Sequence, residues 1–206
     1  MKKQLILLCA LAISASLHVT AQSFRKQISE HPELSANNYL AYPDPSGRLT
    51  PAPSGYLPVY LSHYGRHGSR YLIHEQQYLR PIETLQQADS AGVLTNEGKD
   101  VLKKLRLMYT ESYKRWGELT PLGAQQHQQI ARRMYRRFPS VFRDSVWVDA
   151  KSTDVIRCIL SMENELQELI RHNPRLRIRH DASAHDMYFM KQPDKKLSHQ
   201  RDSSAV

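Results

Sequence analysis

The sequence predicts an α/β fold with an at least partly parallel sheet, and three observations support this class. Short segments with β propensity alternate with longer helical segments, in the order strand, helices, strand, helix, strand. Helix-length segments separate the later strands, as parallel pairing requires. In the best-defined helical segment apolar residues recur every four positions, which indicates a helix that packs one face on a core.

The first strand is predicted at 57–63, where valine, tyrosine and leucine residues follow two prolines. A helix is predicted over 75–91. Pro81 stands inside this helix and is expected to break or kink it, because proline has no backbone N–H and collides with the preceding turn.

Two further helices are predicted before the second strand. One extends from Asn96 to Trp116, and its buried face is expected to comprise Val101, Leu105 and Met108. The next begins at Thr120, because a threonine cap followed by proline is a typical helix start, and it ends before Pro139. His127 is expected on its exposed side. Its core-facing stripe is Leu122, Gln126, Ile130, Met134 and Phe138.

The second strand is predicted at 146–151, where polar and apolar residues alternate. The polar run 152–154 offers caps for another helix, and a third short strand is predicted at 176–179. The buried face of the helix between these strands is expected to be Val155, Ile159, Met162, Leu166 and Leu169.

Residues 1–21 have the pattern of a secretory signal peptide, with two lysines, a largely apolar stretch and small residues before Gln22. The sequence therefore predicts export to the periplasm or the extracellular space. Removal of this peptide leaves one cysteine, Cys158, so no disulfide is expected within the mature chain. No other apolar run is long enough to cross a bilayer, and no integral membrane segment is expected after signal removal.

The formal net charge is +9, and it falls to +7 when the two lysines of the signal peptide are lost. A basic balance fits nucleic acid, an anionic surface or a phosphate-rich small substrate. Export argues against nucleic acid, and the sequence contains no zinc-finger, helix-turn-helix or ribonucleoprotein motif. The expected partner is a phosphorylated small molecule, although part of the charge is ordinary helix surface.

The segment Tyr64–Arg70 reads Tyr-Gly-Arg-His-Gly-Ser-Arg and places one imidazole between two guanidinium groups. Arg66 and Arg70 can present planar, permanently charged donors to phosphate oxygens. His67 can be neutral and nucleophilic near its ordinary pKa of about 6.5. The segment follows a predicted strand, where open α/β sheets bind ligands, and its glycines are expected to let the backbone approach an anion. A solvated basic turn is the alternative for such a segment in isolation.

A second strand-to-helix junction, at 151–157, supplies another cation. Arg157 falls in the first turn of the predicted helix, where free N–H groups and the helix dipole favour anions. In isolation Arg157 indicates no more than a surface residue. Together with the first motif it is expected to join Arg66 and Arg70 around one phosphate.

These motifs resemble those of the histidine acid phosphatases. Residues 66–70 match the family signature Arg-His-Gly-x-Arg, residues 119–126 resemble its Leu-Thr-x-x-Gly helix start, and residues 152–161 resemble its Ser-Thr…Arg…Ser stretch. Residues 62–71 and 184–190 are most similar to the multiple inositol polyphosphate phosphatase branch, as found in exported proteins of gut bacteria. The related phosphoglycerate mutases share Arg-His-Gly but lack the second arginine.

The resemblance implies a phosphoglycerate-mutase-like sheet flanked by helices, with a helical insertion, and hydrolysis of inositol polyphosphates such as phytate. His67 would attack phosphorus and form a phosphohistidine, which water would then hydrolyse. Arg66, Arg70 and Arg157 would hold the phosphate oxygens. No metal or other cofactor is expected, because the arginines supply the positive charge.

The general acid that this family uses is not found in the sequence. The His-Ala-Glu of the inositol phosphatase branch does not occur, and Asp186, in a His-Asp pair, follows His67 so closely that it is a weak candidate. Family members are longer, and residues 22–190 correspond to the N-terminal part of their domain. The polar tail 191–206 is expected to be disordered, and the chain to be truncated at its C-terminal end. The alternative to an active phosphatase is an impaired fragment that at most binds phosphate or polyanions.

Overall fold

Helices and a small parallel sheet make up this computed structural model, which describes residues 24–42, 45, 47, 50–187, 190 and 199. The chain divides into two units, Met1–Ser46 and Gly47–Val206. In the first, residues 24–30 are helical and a 3₁₀ helix follows over Pro32–Tyr39. The predicted signal peptide lies outside the described residues, as does the predicted disordered tail apart from His199. The domain limits of 22–190 stay a prediction.

The α-helices of the second unit pack as two pairs. Helix α1 (Gln76–Ser90) packs against α2 (Asn96–Ser112), and α3 (Pro121–Arg137) packs against α4 (Ile156–His172). None of the helices in the described ranges has the length and apolar character that crossing a bilayer requires. Aromatic rings of the first pair and of the loop that follows it pack against one another: Tyr78, Tyr109, Tyr113 and Trp116. The buried centre of the other hydrophobic cluster is Ala131, Phe142 and Leu169.

The sheet has the parallel arrangement that the sequence predicts. Strand β1 (Trp147–Lys151) pairs in parallel with β2 (Arg177–Asp181), and α4 makes the crossover between them. The prediction of an α/β chain with a partly parallel sheet is confirmed in this coarse form. A complete phosphoglycerate-mutase-like sheet, a helical insertion and a C-terminal truncation stay predictions.

The strand predicted at 57–63 is wrong. Residues 56–69 belong to no strand, and the first pairing after them is an isolated antiparallel bridge between Arg70 and Leu119. Val59 and Tyr60 are 89% and 80% exposed. A high β propensity means that a residue suits a pleated, half-buried surface, and no strand within the described ranges provides one for this segment.

The predicted buried face of α2 is also wrong. Val101 and Met108 are 42% and 51% exposed, whereas Leu102 is buried. The helix carries two overlapping apolar stripes, and the sequence does not say which one meets a neighbour. In the structure Tyr109 stacks on Trp116, so the stripe with Leu102 and Tyr109 turns inward.

Two details of the helix predictions differ from the structure. Pro81 does not break α1, because a proline in the second turn removes only one backbone donor and leaves the later turns intact, and the alternative of a kink stays a prediction. Helix α4 begins at Ile156 without a side-chain cap. The hydroxyl of Ser152 donates instead to the carbonyl of Thr153, at 2.9 Å.

Helix α3 begins where the sequence predicts. Thr120 Oγ1 accepts a hydrogen bond from the N–H of Gly123 at 3.1 Å and donates one to the carbonyl of Ser69 at 2.9 Å. We expect Thr120→Ala to lower the free energy of unfolding by about 1–2 kcal/mol. Thr120→Ser keeps the hydroxyl and should lose much less. Urea denaturation of both variants measures the difference, and equal losses would show that the cap contributes nothing.

Candidate active site

The Arg-His-Gly-Ser-Arg motif is fixed by hydrogen bonds to helices α3 and α4. The N–H of Gly68 donates to Ser161 Oγ on α4 at 3.1 Å. The N–H of Ser69 donates to Gln126 Oε1 on α3 at 2.8 Å, and its carbonyl accepts from the N–H of Thr120 at 2.9 Å. The three motif regions recognised in the sequence therefore meet at one place.

Two glycines allow this close contact. A Cβ atom at Gly68 would lie 2.7 Å from Cα of Gly123, and one at Gly123 would lie 2.9 Å from the backbone nitrogen of Ser69. Both separations are too short for a real Cβ, so the glycines are required by backbone packing of the motif on α3. At Gly68 the space that a side chain would take is filled by Gly123 of α3, and the expectation that the glycines let the backbone approach an anion stays a prediction.

Gly123→Ala is expected to destabilise the chain by about 1–3 kcal/mol, because the added methyl group overpacks the contact between α3 and the motif. Thermal or urea unfolding measures this change. Gly47→Ala is the matched control, since a Cβ at Gly47 meets nothing within 4 Å. If both variants unfold alike, the contact between Gly68 and Gly123 does not constrain the motif.

His67 is held in the tautomer that a nucleophile needs. Its Nδ1 lies 2.8 Å from the carbonyl oxygen of Gly68. A carbonyl can only accept, so Nδ1 carries the proton and Nε2 keeps its lone pair. Burial lowers the pKa of His67, and the charges of Arg157, Arg66 and Arg70 lower it further, against the opposing hydrogen bond to Gly68. The imidazole is therefore neutral at lower pH than an ordinary histidine.

The three predicted arginines lie close enough to act on this imidazole. Arg157 Nη1 also donates to the carbonyl of Gly117 at 3.3 Å, and Arg70 Nη1 donates to the carbonyl of Tyr71 at 2.9 Å. Positive charge thus gathers around His67, as the sequence leads us to expect. That these groups bind a phosphate stays a prediction.

Three buried polar atoms around the motif have no hydrogen-bond partner within the described residues: Gln126 Nε2, Thr153 Oγ1 and Arg157 Nε. All three can donate. A buried donor without a partner costs free energy, which a ligand rich in acceptor oxygens would recover. Gln126 contacts the motif, the charge of Arg157 lowers the pKa of His67, and Thr153 lines the same cavity as His67.

A cavity of about 780 Å³ opens beside His67. Its size is in the range of small-molecule sites, about 300–1,000 Å³. The segment 59–67, β1 and residues of α3 and α4 form most of its walls. Of the predicted site residues, Arg66 and His67 line the cavity, whereas Arg70, Arg157 and Asp186 do not.

Asp186 has a structural partner. It is 4% exposed, and its Oδ1 lies 2.9 Å from Nζ of Lys151. The hydrogen bond from Lys151 lowers the pKa of Asp186. A general acid must keep its proton until the leaving group needs it, so this pairing argues against Asp186 as the proton donor.

Sequence reasoning missed a His–Glu–His cluster on the cavity wall. Glu165 on α4 lies 2.6 Å from Nδ1 of His127 and 3.2 Å from Nδ1 of His63. The expectation that His127 is exposed is wrong, because it is only 4% exposed. A glutamate beside Leu166 on the apolar side of α4 was the available signal, but its partners lie far away in the sequence.

No group of three or more His, Cys, Asp or Glu side chains in the described ranges is arranged to hold a metal ion. The His–Glu–His cluster consists of hydrogen-bonded pairs, in which Nδ1 of each imidazole faces the carboxylate.

No protein-family model and no curated protein sequence matches the chain. Solved structures do match. The apo form of multiple inositol polyphosphate phosphatase from Bifidobacterium longum is 26% identical, with a TM-score of 0.52, over 66% of this chain and 29% of that chain. Its inositol hexasulfate complex is 26% identical over the same shares, with a TM-score of 0.48. Its phosphate complex is 25% identical over 62% of this chain and 26% of that chain, also with a TM-score of 0.48.

The match to the apo form relates the chain to that phosphatase in fold and, at low identity, in sequence. The chain spans less than a third of the length of the solved structures it matches. What the whole enzyme does is therefore a matter for proposal here.

Proposed function

We propose that the chain is a phosphomonoester hydrolase, or the nucleophile-bearing part of one, that acts on inositol polyphosphates through a phosphohistidine at His67. One observation carries the proposal: the Nδ1 of His67 faces the carbonyl of Gly68, which leaves Nε2 for attack, and the charges of Arg157, Arg66 and Arg70 lie near enough to lower the pKa of this imidazole. The similarity to an inositol polyphosphate phosphatase supports the substrate class.

The reaction would proceed in two displacements. His67 Nε2 attacks phosphorus, an N–P bond forms, and the P–O bond to the inositol oxygen breaks as that oxygen takes up a proton from solvent. Water then attacks the phosphohistidine, the N–P bond breaks, and inorganic phosphate leaves with His67 neutral again. Arg66, Arg70 and Arg157 would stabilise the charge on the phosphoryl oxygens throughout.

The lowered pKa of His67 gives this mechanism an acidic working range. A nucleophilic imidazole must be unprotonated, and the neighbouring guanidiniums and burial keep His67 neutral below the ordinary histidine pKa of 6.5. Turnover would therefore persist in mildly acidic solution, where phosphate monoesters carry less negative charge than at neutral pH.

The test is release of phosphate from phytate and from p-nitrophenyl phosphate by the purified chain at mildly acidic pH. Rapid quenching into alkali, where phosphohistidine is stable, followed by peptide mass spectrometry should place the phosphoryl group on His67. A chain that releases no phosphate and carries no phosphohistidine is not this enzyme.

A chain that binds phosphate or polyanions with little turnover is the second candidate, and one observation favours it. Within the described residues, the carboxyl groups on the cavity wall are those of Asp149 and Glu165, and Glu165 is engaged by two histidines. The pKa values of Glu165 and of the weak candidate acid Asp186 are both lowered by their partners, so neither carboxyl group is set up to hold a proton for the leaving oxygen. Calorimetric binding of phytate without phosphate release would establish this second function, and full turnover would exclude it.

Export belongs to the same proposal. The signal-like residues 1–21 motivate it. N-terminal sequencing of the protein recovered from the periplasm or the medium should begin at Gln22. A protein that stays in the cytoplasm with Met1 intact would reject export without affecting the proposed chemistry.

A further inference from the structure

The segment 59–66 carries Arg66, and leads into His67, without the support of a sheet. It belongs to no strand, and Val59, Tyr60 and Tyr64 are more than three-quarters exposed. Ser140 Oγ donates to the carbonyl of Pro58 just before it, at 3.3 Å. Since the catalytic geometry needs a fixed His67, a stronger attachment of this segment to the helices would matter.

Glu165 provides that attachment. Its side chain is 14% exposed, and its two oxygens point to different elements: Oε1 lies 2.6 Å from Nδ1 of His127 on α3, and Oε2 lies 3.2 Å from Nδ1 of His63 in the segment. The imidazole of His127 is 5% exposed, so the α3 end of this link is anchored inside the protein. One carboxylate thus joins α4, α3 and the chain that precedes the motif.

The contacts of Glu165 lie close to the motif on both α3 and α4. Glu165 is one turn beyond Ser161, which accepts from Gly68, and His127 follows Gln126, which accepts from Ser69. Any movement of His63 would therefore displace the backbone that carries Arg66 and His67. The cluster is therefore placed to act on the motif from its N-terminal side while Ser161 and Gln126 hold its C-terminal side.

We propose that Glu165 is a positioning residue: through its ion pair with His63 it holds segment 59–66, and with it Arg66 and His67, against α3 and α4. The consequence for catalysis rests on the proposed function. The positioning itself does not, and it can be measured without any turnover.

The charges of His63 and Glu165 set the pH range over which their ion pair forms. The hydrogen bond to Glu165 raises the pKa of His63, so this charge is present below the ordinary value of 6.5 and is lost as the pH rises through the raised value. Burial would raise the pKa of Glu165, but the hydrogen bonds from His127 and His63 lower it overall. That charge is present above the ordinary 4.5 and is lost as the pH falls through the lowered value. Between these two ordinary values both partners are charged.

Other ionisable groups share the cavity wall with His63 and must be considered as sources of a pH effect. Charged or titrating groups come from the segment, from α3 and from β1: Arg66, His67, His127, Asp149 and Lys151. The weak acids on the wall are Tyr60, Tyr64 and Cys158. Substitution of His63 and Glu165 separates their contribution from that of these neighbours.

The experiment measures amide hydrogen exchange by NMR at Gly68 and Ser69, whose N–H groups are hydrogen-bonded to Ser161 and Gln126. We expect Glu165→Gln and His63→Gln each to lower the protection factors of these two amides about tenfold, the effect of losing a charge-assisted hydrogen bond. The double variant should lose no more than Glu165→Gln alone, because both substitutions remove the contact between Glu165 and His63. In the wild type, protection should fall as the pH rises through the raised pKa of His63, and it should not do so in the variants.

A matched control lies on the same helix. Glu163 pairs with Nδ1 of His180 at 2.6 Å, outside the cavity wall, so Glu163→Gln and His180→Gln remove a similar pair without touching the segment. These variants should leave protection at Gly68 and Ser69 unchanged. Unaltered protection in His63→Gln, or equal losses in the control variants, would overturn the proposal. His63→Gln guards against misfolding, because its side chain lies on an exposed segment.

Measurement of phosphate release distinguishes failure of the proposed function from failure of the proposed positioning role. If the wild type releases no phosphate, the proposed function fails while the exchange data still decide the positioning role. If it does, both variants should lower kcat more than they raise KM, since a misplaced nucleophile slows the chemical step.

Discussion

His67→Ala is expected to lower phosphate release from phytate by on the order of 10⁴-fold or more, the usual effect of removing a covalent nucleophile. The side chain that accepts the phosphoryl group is lost, while Arg66, Arg70 and Arg157 remain. Binding of inorganic phosphate should therefore change by only a few-fold. Steady-state kinetics and calorimetry on the same preparation measure the two quantities.

His180→Ala is the control for this prediction. His180 is an exposed histidine on β2 that pairs with Glu163, and it does not line the cavity. Its replacement should leave phosphate release unchanged. Residual activity of His67→Ala within about tenfold of the wild type would place the nucleophile elsewhere.

Local signals allowed much of the fold to be predicted. Thr120 and Pro121 mark the start of α3, and the alternation around Trp147–Lys151 marks β1. These features depend on residues within one turn or one strand of each other, so a single sequence contains the information. Parallel pairing of β1 with β2 follows from the helix between them.

Burial was harder to predict, because it depends on partners that are distant in the sequence. His127 sits between two glutamines on α3, and only Glu165, on another helix, explains why it is buried. Residues 57–63 have β propensity, but a strand also needs a neighbouring strand. In both cases the local pattern indicated the properties of the residues correctly, but not whether they are buried or paired in a sheet.

The candidate site shows the same difference between residue types, which the sequence indicates, and packing, which it does not. The motif identified a histidine and its neighbouring cations by residue type, and in the structure the charges of Arg157, Arg66 and Arg70 act on the pKa of His67. It did not give the reason for Gly68, which is the backbone of Gly123, nor the support from Glu165. Such packing relations appear only when α3 and α4 are placed together.

The second large effect is expected at Arg157. Arg157→Ala should lower kcat/KM for phytate by about 10²–10³-fold, the cost of removing one preorganised donor from a site of developing charge. Its guanidinium is among the groups that lower the pKa of His67. Without it the pKa of His67 rises, so the acidic limb of the pH–rate profile should move to higher pH. Profiles of kcat/KM against pH for wild type and variant measure both effects.

Two controls separate charge from geometry in this prediction. Arg157→Lys keeps the charge but not the planar fork, so it should retain most of the pH profile while losing part of the rate. Arg171→Ala removes an exposed arginine from the last turn of the same helix, where it pairs with Glu168, and should change neither. Because Arg157 does not line the cavity, an unshifted pH profile with a normal rate would mean that its guanidinium acts on neither the nucleophile nor the phosphate. A shifted profile with a nearly normal rate would instead restrict Arg157 to setting the protonation of His67.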